Sequence, residues 1–331
     1  MNFKFLNNDE AVSPIVATLV LIVVAIVGAA AVGTLMGTFS SDVSKQANAG
    51  DVSGTASQTI LIAGSTTVQP ASELLAKSYM SNHPGVKITV QGGGSGAGVS
   101  SVGMDIVDIG SASRTPTDTE MSKYPNLQSY QIGGSGVVFI VPSTTANNVI
   151  AKADLATLYD ATAGTTLTTA GTTITGADIA GGVFTRAESS GTKDTASKYL
   201  FNSDSTIANA VEVTGKTGNS GMLEAVKATP NSIGYVDYGF AFDANGNAVS
   251  GIKAVSIVDG VTYVPSKTSI LNGLKGKTDA TGYPANLVRP LVYITNGEPS
   301  SVVKDYITYC QSPGAQADFE AAGMFALNQF Q

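Results

Sequence analysis

Seven residues, Arg186-Ala187-Glu188-Ser189-Ser190-Gly191-Thr192, concentrate the chemistry of this 331-residue chain. A guanidinium offers paired N–H donors that match two oxygens of a tetrahedral oxyanion, and Ser190, Gly191 and Thr192 add hydroxyl and amide donors where a helix would begin. Glu188 is placed to orient Arg186 while partly balancing its charge. In isolation the string also reads as a capping turn. Three further turns share its character: Gly64 to Pro70 with Thr66 and Thr67, Gln91 to Gly98 with Ser95, and Asp108 to Arg114 with Ser113. Each follows a strand-like run, and three of the four lead into a helical pattern. Helix N-termini direct N–H groups and a positive dipole end outward, so four such turns gathered at strand ends would form a donor cage for an anion. The first turn equally fits an ordinary helix N-cap. Arg114 either faces the cleft or pairs with a surface carboxylate.

The rest of the composition narrows the choice. Lys+Arg 18 against Asp+Glu 25 gives a net charge of −7, which supplies no dense basic face for nucleic acid; an anion must be held by local dipoles. One cysteine rules out an internal disulfide framework and, with one histidine, leaves no Cys/His zinc site; because that histidine, His83, reads as structural at a helix end, we expect no histidine-based catalytic centre, no metal, no cofactor and no enzyme activity. Cys310 falls on an apolar stripe with Val302, Val303, Tyr306 and Ile307, and His83 precedes Pro84-Gly85 at a helix end, so both read as structural. The glycines of the second turn follow neither the dinucleotide fingerprint nor the phosphate loop of nucleotide-binding proteins.

No charged residue occurs from Ala11 to Ser41. A bilayer core needs about 20 apolar residues, so residues 12–40 are predicted as one N-terminal transmembrane helix. Residues 41–58, small and polar, read as a flexible linker. At Asp9-Glu10-Ala11-Val12-Ser13 the sequence resembles the class III signal peptides of archaeal type IV pilins. That resemblance implies a leader, 1–11, cut after Ala11, a retained helix, and a cell-surface domain anchored in the membrane with its binding part outside. A homo-oligomer or filament built through the same helix is the competing use of the segment.

Beyond the linker, β-branched runs alternate with helical patterns, the mark of α/β architecture. Predicted strands are Thr59–Ala63, Val86–Gln91, Ile106–Gly110, Val137–Val141, Val183–Arg186, Ile233–Val236, Ile252–Val258 and Pro290–Thr295. Predicted helices are Ala71–Asn82, Thr192–Phe201, Met222–Ala228, Ser300–Gln311 and Ala315–Ala322. The Thr/Gly-rich stretch Thr162–Gly182 reads as a hairpin or loop.

Taken with Ile233-Gly234-Tyr235-Val236-Asp237-Tyr238, Arg289-Pro290-Leu291-Val292-Tyr293 and Gly314-Ala315-Gln316, the four turns resemble the phosphate-binding proteins of phosphate ABC transporters. The resemblance implies a two-lobed periplasmic binding protein-like (type II) α/β fold with two interlobe crossovers, near Val137–Pro142 and Ile233–Tyr238. Lobe I would then be 59–139 and 237–331, and lobe II 140–236. It implies inorganic phosphate held in the interlobe cleft by Thr66, Thr67, Ser95, Ser113, Arg186, Ser190, Gly191 and Thr192, with Arg114 as an additional candidate, and delivery to an ABC permease. In several family members the third turn ends in an aspartate that accepts the proton of hydrogen phosphate; the matching residue here is Ser113, whose hydroxyl can donate or accept. The alternative function is a pilin-like surface filament subunit carrying an anion-binding domain.

Overall fold

Alternating inward Ile60 and Ile62 make β1 (Gln58–Gly64), which the Gly64 turn delivers to α1 (Gln69–Asn82). This computed structural model describes residues 58–160, 167, 169–203, 206–207, 213–243 and 245–331; the expected leader, membrane-spanning helix and nearly all of the linker lie outside them. β2 (Val86–Gly92), α2 (Ser95–Gly103) and β3 (Ile109–Ala112) complete a parallel β2-β1-β3 unit. The expected strand at Ile106–Gly110 is shifted: Asp105 takes a left-handed φ of 54° and Ile106 N–H donates to Ser101 O, so the first of those residues close the turn after α2. A capping box between Thr117 and Glu120 starts α3 (Asp118–Lys123).

The long strand β4 (Leu127–Pro142) then runs from one lobe into the other. β5 (Val149–Ala151), α4 (Lys152–Tyr159), β6 (Gly182–Arg186), α5 (Gly191–Phe201), β7 (Thr214–Lys216), α6 (Gly218–Ala228) and β8 (Ser232–Asp237) follow. Within Thr162–Gly182 the described residues before β6 hold one 3-10 turn, Gly176–Ile179, and no strand. After α7 (Tyr238–Ala241) come β9 (Ile252–Ala254), β10 (Ser256–Asp259), β11 (Val261–Tyr263) and α8 (Lys267–Leu274); the expected strand Ile252–Val258 is thus broken at Val255. β12 (Val288–Asn296), α9 (Ser301–Gln311), α10 (Gln316–Ala321) and β13 (Phe325–Ala326) close the chain.

One sheet path, β2-β1-β3-β12-β4-β8-β6-β7, joins the lobes, and β11-β10-β5 form a second small sheet. Residues 127–136 of β4 pair antiparallel with β12, and residues 137–142 pair with β8 and β9. Two separate cores match this division: Ile132, Leu291 and Tyr293 pack with β1 and α1, whereas Val137 to Val141 pack with β8 and α6. The strand passes from the first core to the second between Ile132 and Val137. The return does not occur at 237. Asp237 ends β8 and caps α7, while Ile252, Val255, Ile257, Ile270, Tyr283 and Leu287 all pack in the second core and β10 pairs with β5. The chain next enters the first core at Leu291, in β12, and β10 stays with the second lobe through its pairing with β5.

Cys310 is fully buried in the first core beside Tyr306, and burial raises its thiol pKa far above the ordinary value. His83 stacks on Tyr79 at 3.8 Å, and its Nδ1 bonds Tyr79 O at 2.9 Å, at the C-cap of α1. Among the described residues no helix is long and apolar enough to cross a membrane, and no group of three His, Cys, Asp or Glu could hold a metal ion.

Candidate anion-binding site

The first turn resolves the choice between cap and site by dividing the labour. Ser65 Oγ accepts from the Thr67 and Val68 amides at 3.2 and 3.4 Å, so Ser65 serves the helix start and leaves both threonine hydroxyls for other partners. In the second turn Gly94, at φ +94°, bends the chain so that α2 begins at Ser95. Ser95 Oγ accepts from the Ser113 amide of the third turn and from the Gly191 amide of the fourth, both at 3.2 Å.

The fourth turn carries the main charge. β6 ends at Arg186, which is 1 % exposed. Its Nη2 donates to Thr66 Oγ1 at 2.8 Å, and its Nη1 to Thr192 Oγ1 at 3.4 Å and Asn219 Oδ1 at 3.3 Å. Glu188 holds the other edge, accepting from Nε at 2.8 Å and from Nη2. Tyr235, in β8 beneath, bonds Thr185 Oγ1 at 2.6 Å and accepts from the Arg186 amide at 3.4 Å. Ser190 Oγ caps α5 by accepting from the Thr192 amide at 3.2 Å, so the capping role is real and its hydroxyl hydrogen is still available. Lys193 Nζ donates to Arg186 O at 2.9 Å; burial lowers its pKa against the pull of Asp194 and Glu188.

Lobe closure is tight at this point. A Cβ on Gly191 would lie 2.5 Å from Ser113 Oγ and 2.8 Å from Ser113 O, so only glycine lets the two turns meet. All eight expected residues, Thr66, Thr67, Ser95, Ser113, Arg186, Ser190, Gly191 and Thr192, fall in this one cluster. Arg114 does not join it. Its guanidinium is bound by Glu120 at 2.7 and 2.8 Å and by Asp194 at 2.6 Å, a bridge from the first lobe to the first turn of α5. It borders instead a cavity of about 470 Å³ lined also by Thr115, Lys198 and Arg289.

Three central residues were not expected as part of the site. Arg289, 4 % exposed, donates from Nη2 to Asp237 Oδ2 at 2.8 Å and directs its second Nη2 hydrogen between Thr67 Oγ1 and Thr192 Oγ1, each 3.0 Å away, while Nη1 donates to Ser113 Oγ at 3.1 Å. Burial lowers its pKa and Asp237 opposes that; a guanidinium stays charged in any case. Asn219, at the start of α6, donates to Thr67 Oγ1 at 3.0 Å. Asp237 Oδ1 accepts from Ser135 Oγ at 2.8 Å and the Gly239 amide at 3.2 Å. Arg289-Pro290 and Asp237-Tyr238 are visible in the sequence as part of the family pattern, but nothing in their spacing joins them to each other or to the turns.

Two buried guanidiniums thus meet one ring of hydroxyls drawn from both lobes, an arrangement fit to surround a compact, multiply charged oxyanion. The fold is shared with solved structures: a phosphate ABC transporter substrate-binding protein with bound phosphate from Clostridium perfringens (TM-score 0.65, 21 % identity, covering 82 % of this chain and 100 % of that one) and an ABC-type phosphate transport receptor from Vibrio cholerae (0.59, 22 %, 80 % and 99 %). At those identities the likeness is one of fold. In sequence, the chain is 26 % identical over 275 residues to the phosphate-binding protein PstS of Bacillus subtilis, across 82 % of each. All four turns and both crossings lie inside residues 49–317, the stretch that matches the family profile described as the PBP superfamily domain, and the chain belongs to that family.

Proposed function

We propose that this chain is an extracytoplasmic solute-binding protein that captures inorganic phosphate between its lobes for uptake by an ABC permease, and that it binds without turnover. One observation carries the reading: Thr192 Oγ1, at the start of a lobe II helix, receives both Arg186 and Arg289 and lies 3.2 Å from Thr67 Oγ1 of lobe I. Two guanidiniums converging with hydroxyls of both lobes on one point can offer an anion charge-assisted donors, and an anion bridging the lobes would favour the closed form. The likeness to a phosphate-binding protein of Bacillus subtilis and to phosphate transport receptors of Clostridium perfringens and Vibrio cholerae supports phosphate as that anion. The ligand set is Thr66, Thr67, Ser95, Ser113, Arg186, Ser190, Gly191 and Thr192, to which the geometry adds Arg289 and, behind them, Asn219.

The same reading places the protein at the cell surface, held by the apolar helix 12–40 after removal of 1–11, with linker 41–58 between anchor and binding unit. Isothermal titration of the full chain with phosphate should give micromolar or tighter binding, and Arg186→Ala should weaken it by about 2 kcal/mol or more. Absence of phosphate binding would end the proposal. Electron microscopy of native surface material tests the anchor, since ordered filaments would favour the pilin-like use of the helix.

A further inference from the structure

Helix α5 meets lobe I at two places, and the donor cluster accounts for one of them. There Gly191 approaches Ser113, and Thr192 Oγ1 lies 3.2 Å from Thr67 Oγ1. Two residues further on, Asp194 Oδ2 accepts from Arg114 Nε at 2.6 Å. The Asp194 amide donates to Ser190 O at 2.9 Å, so this carboxylate sits in the same helical turn as the hydroxyls of the cluster, and whatever moves the one moves the others.

Lobe I prepares Arg114 for that contact. Nη1 and Nη2 fork onto Glu120 at 2.7 and 2.8 Å, and Nη1 also donates to Thr115 O at 3.1 Å. Glu120 is held in turn: its Oε2 accepts from the Thr117 amide at 2.8 Å, within the capping box that starts α3. With the fork committed inside lobe I, Nε is left directed across to lobe II, and a planar guanidinium fixed in this way loses little further freedom when it meets a carboxylate. The side chains of Arg114 and Asp194 are 12 % and 18 % exposed, so salt and water screen their attraction less than at an open surface. The pair Lys267 and Glu320, 3.9 Å apart and exposed, has no such shelter. Separating the lobes would leave Arg114 neutralised by Glu120, so opening loses one charge-assisted contact without stranding a buried cation.

We propose that the Arg114–Asp194 bridge latches the lobes in the closed form and so sets how tightly and how long the anion is held, acting through lobe position and not on the guest. This rests on the cleft being the phosphate site proposed above. Every hydrogen bond of Arg114 goes to a carboxylate or a carbonyl, which keeps its charge away from the anion. Apparent affinity scales with the population of the form that binds, so a bridge that favours closure tightens every guest by the same factor. Differences of this kind are expressed chiefly in the rate of release.

The test is the release of radiolabelled phosphate from the full chain into excess unlabelled phosphate, followed by rapid filtration, with isothermal titration against phosphate and arsenate, for wild type, Arg114→Gln, Asp194→Ala and the double variant. Each single change should speed release about tenfold and weaken both anions alike, while the association rate changes less than about twofold. The double variant should match the single ones, because either change already removes the bridge. Unchanged release in both single variants would overturn the proposal. Full additivity in the double variant would also overturn it, by giving the two residues separate structural roles, and so would an altered phosphate-to-arsenate ratio, by putting Arg114 on the guest. No binding of phosphate by wild type would remove the underlying phosphate reading and this proposal with it. If one single variant does not fold, release from the other decides.

Discussion

Arg289 and Asp237 form an ion pair at 2.8 Å whose side chains are 3 % and 0 % exposed. Such a pair returns little net stability after desolvation, but breaking it strands a buried charge. Arg289→Met should therefore cost about 3–5 kcal/mol in urea unfolding, and Arg289→Met/Asp237→Leu should recover most of that, because the second change removes the stranded carboxylate. An equal loss in the double variant would contradict the account. The contrast with Arg186 explains what the sequence could reveal. Arg186 announces itself through residues within six positions of it, Glu188, Ser190 and Thr192, whereas the partners of Arg289 lie 52, 97, 176 and 222 residues away. Arg114, left open in the sequence between the cleft and a carboxylate, takes the carboxylates: Glu120 is near in sequence, but its second partner, Asp194, is 80 residues away in the other lobe.

Helix α5 brings three site residues to the cleft at its first turn, and its approach is limited by a single missing methyl group. Gly191→Ala would drive a Cβ into the backbone of Ser113, so the fourth turn could not reach Ser95. We expect phosphate affinity to fall at least tenfold, on the order of the loss of one charge-assisted contact, with a much smaller change in the urea midpoint. Unchanged affinity would mean that the turns do not have to meet. The short helix α3 contributes differently. Burial works against the charge of Glu120, but hydrogen bonds from Arg114 and Thr117 outweigh it and leave its pKa below the usual 4.5. A depressed carboxylate stabilises the fold above its unfolded pKa, and that stability is lost as pH falls through the lower folded value. Glu120→Gln should thus remove part of the stability seen at neutral pH and flatten its decline below about pH 4.5, read by urea unfolding across the acid range. Most elements carrying the site were legible because their apolar periodicity is strong; α3 and α8, short and polar on the surface, gave no comparable pattern. The strand before Ser113 was misplaced because Ile106 and Val107 have strand-like side chains while Asp105 imposes a turn.

At the scale of the whole molecule, two cores are joined through β4 and β12, so a guest that touches both lobes is linked to their relative position. Small-angle scattering should show a smaller radius of gyration with phosphate than without it, and phosphate at 100 times its Kd should add about 2.7 kcal/mol to stability. Identical scattering with and without ligand would argue for a cleft that is already closed. The two-lobed class was readable because all four turns belong to one pattern, but the point of return was not. Ile252–Val258 has the same β-branched character in either lobe, and only its pairing with Val149–Ala151 assigns it. The sealed position of Cys310 has a practical sequel: the chain's sole thiol is shielded from labelling reagents. A cysteine introduced at exposed Thr115, on the rim of the cavity between the lobes, would be the one reactive site for a fluorophore, turning the protein into an optical sensor of its own ligand.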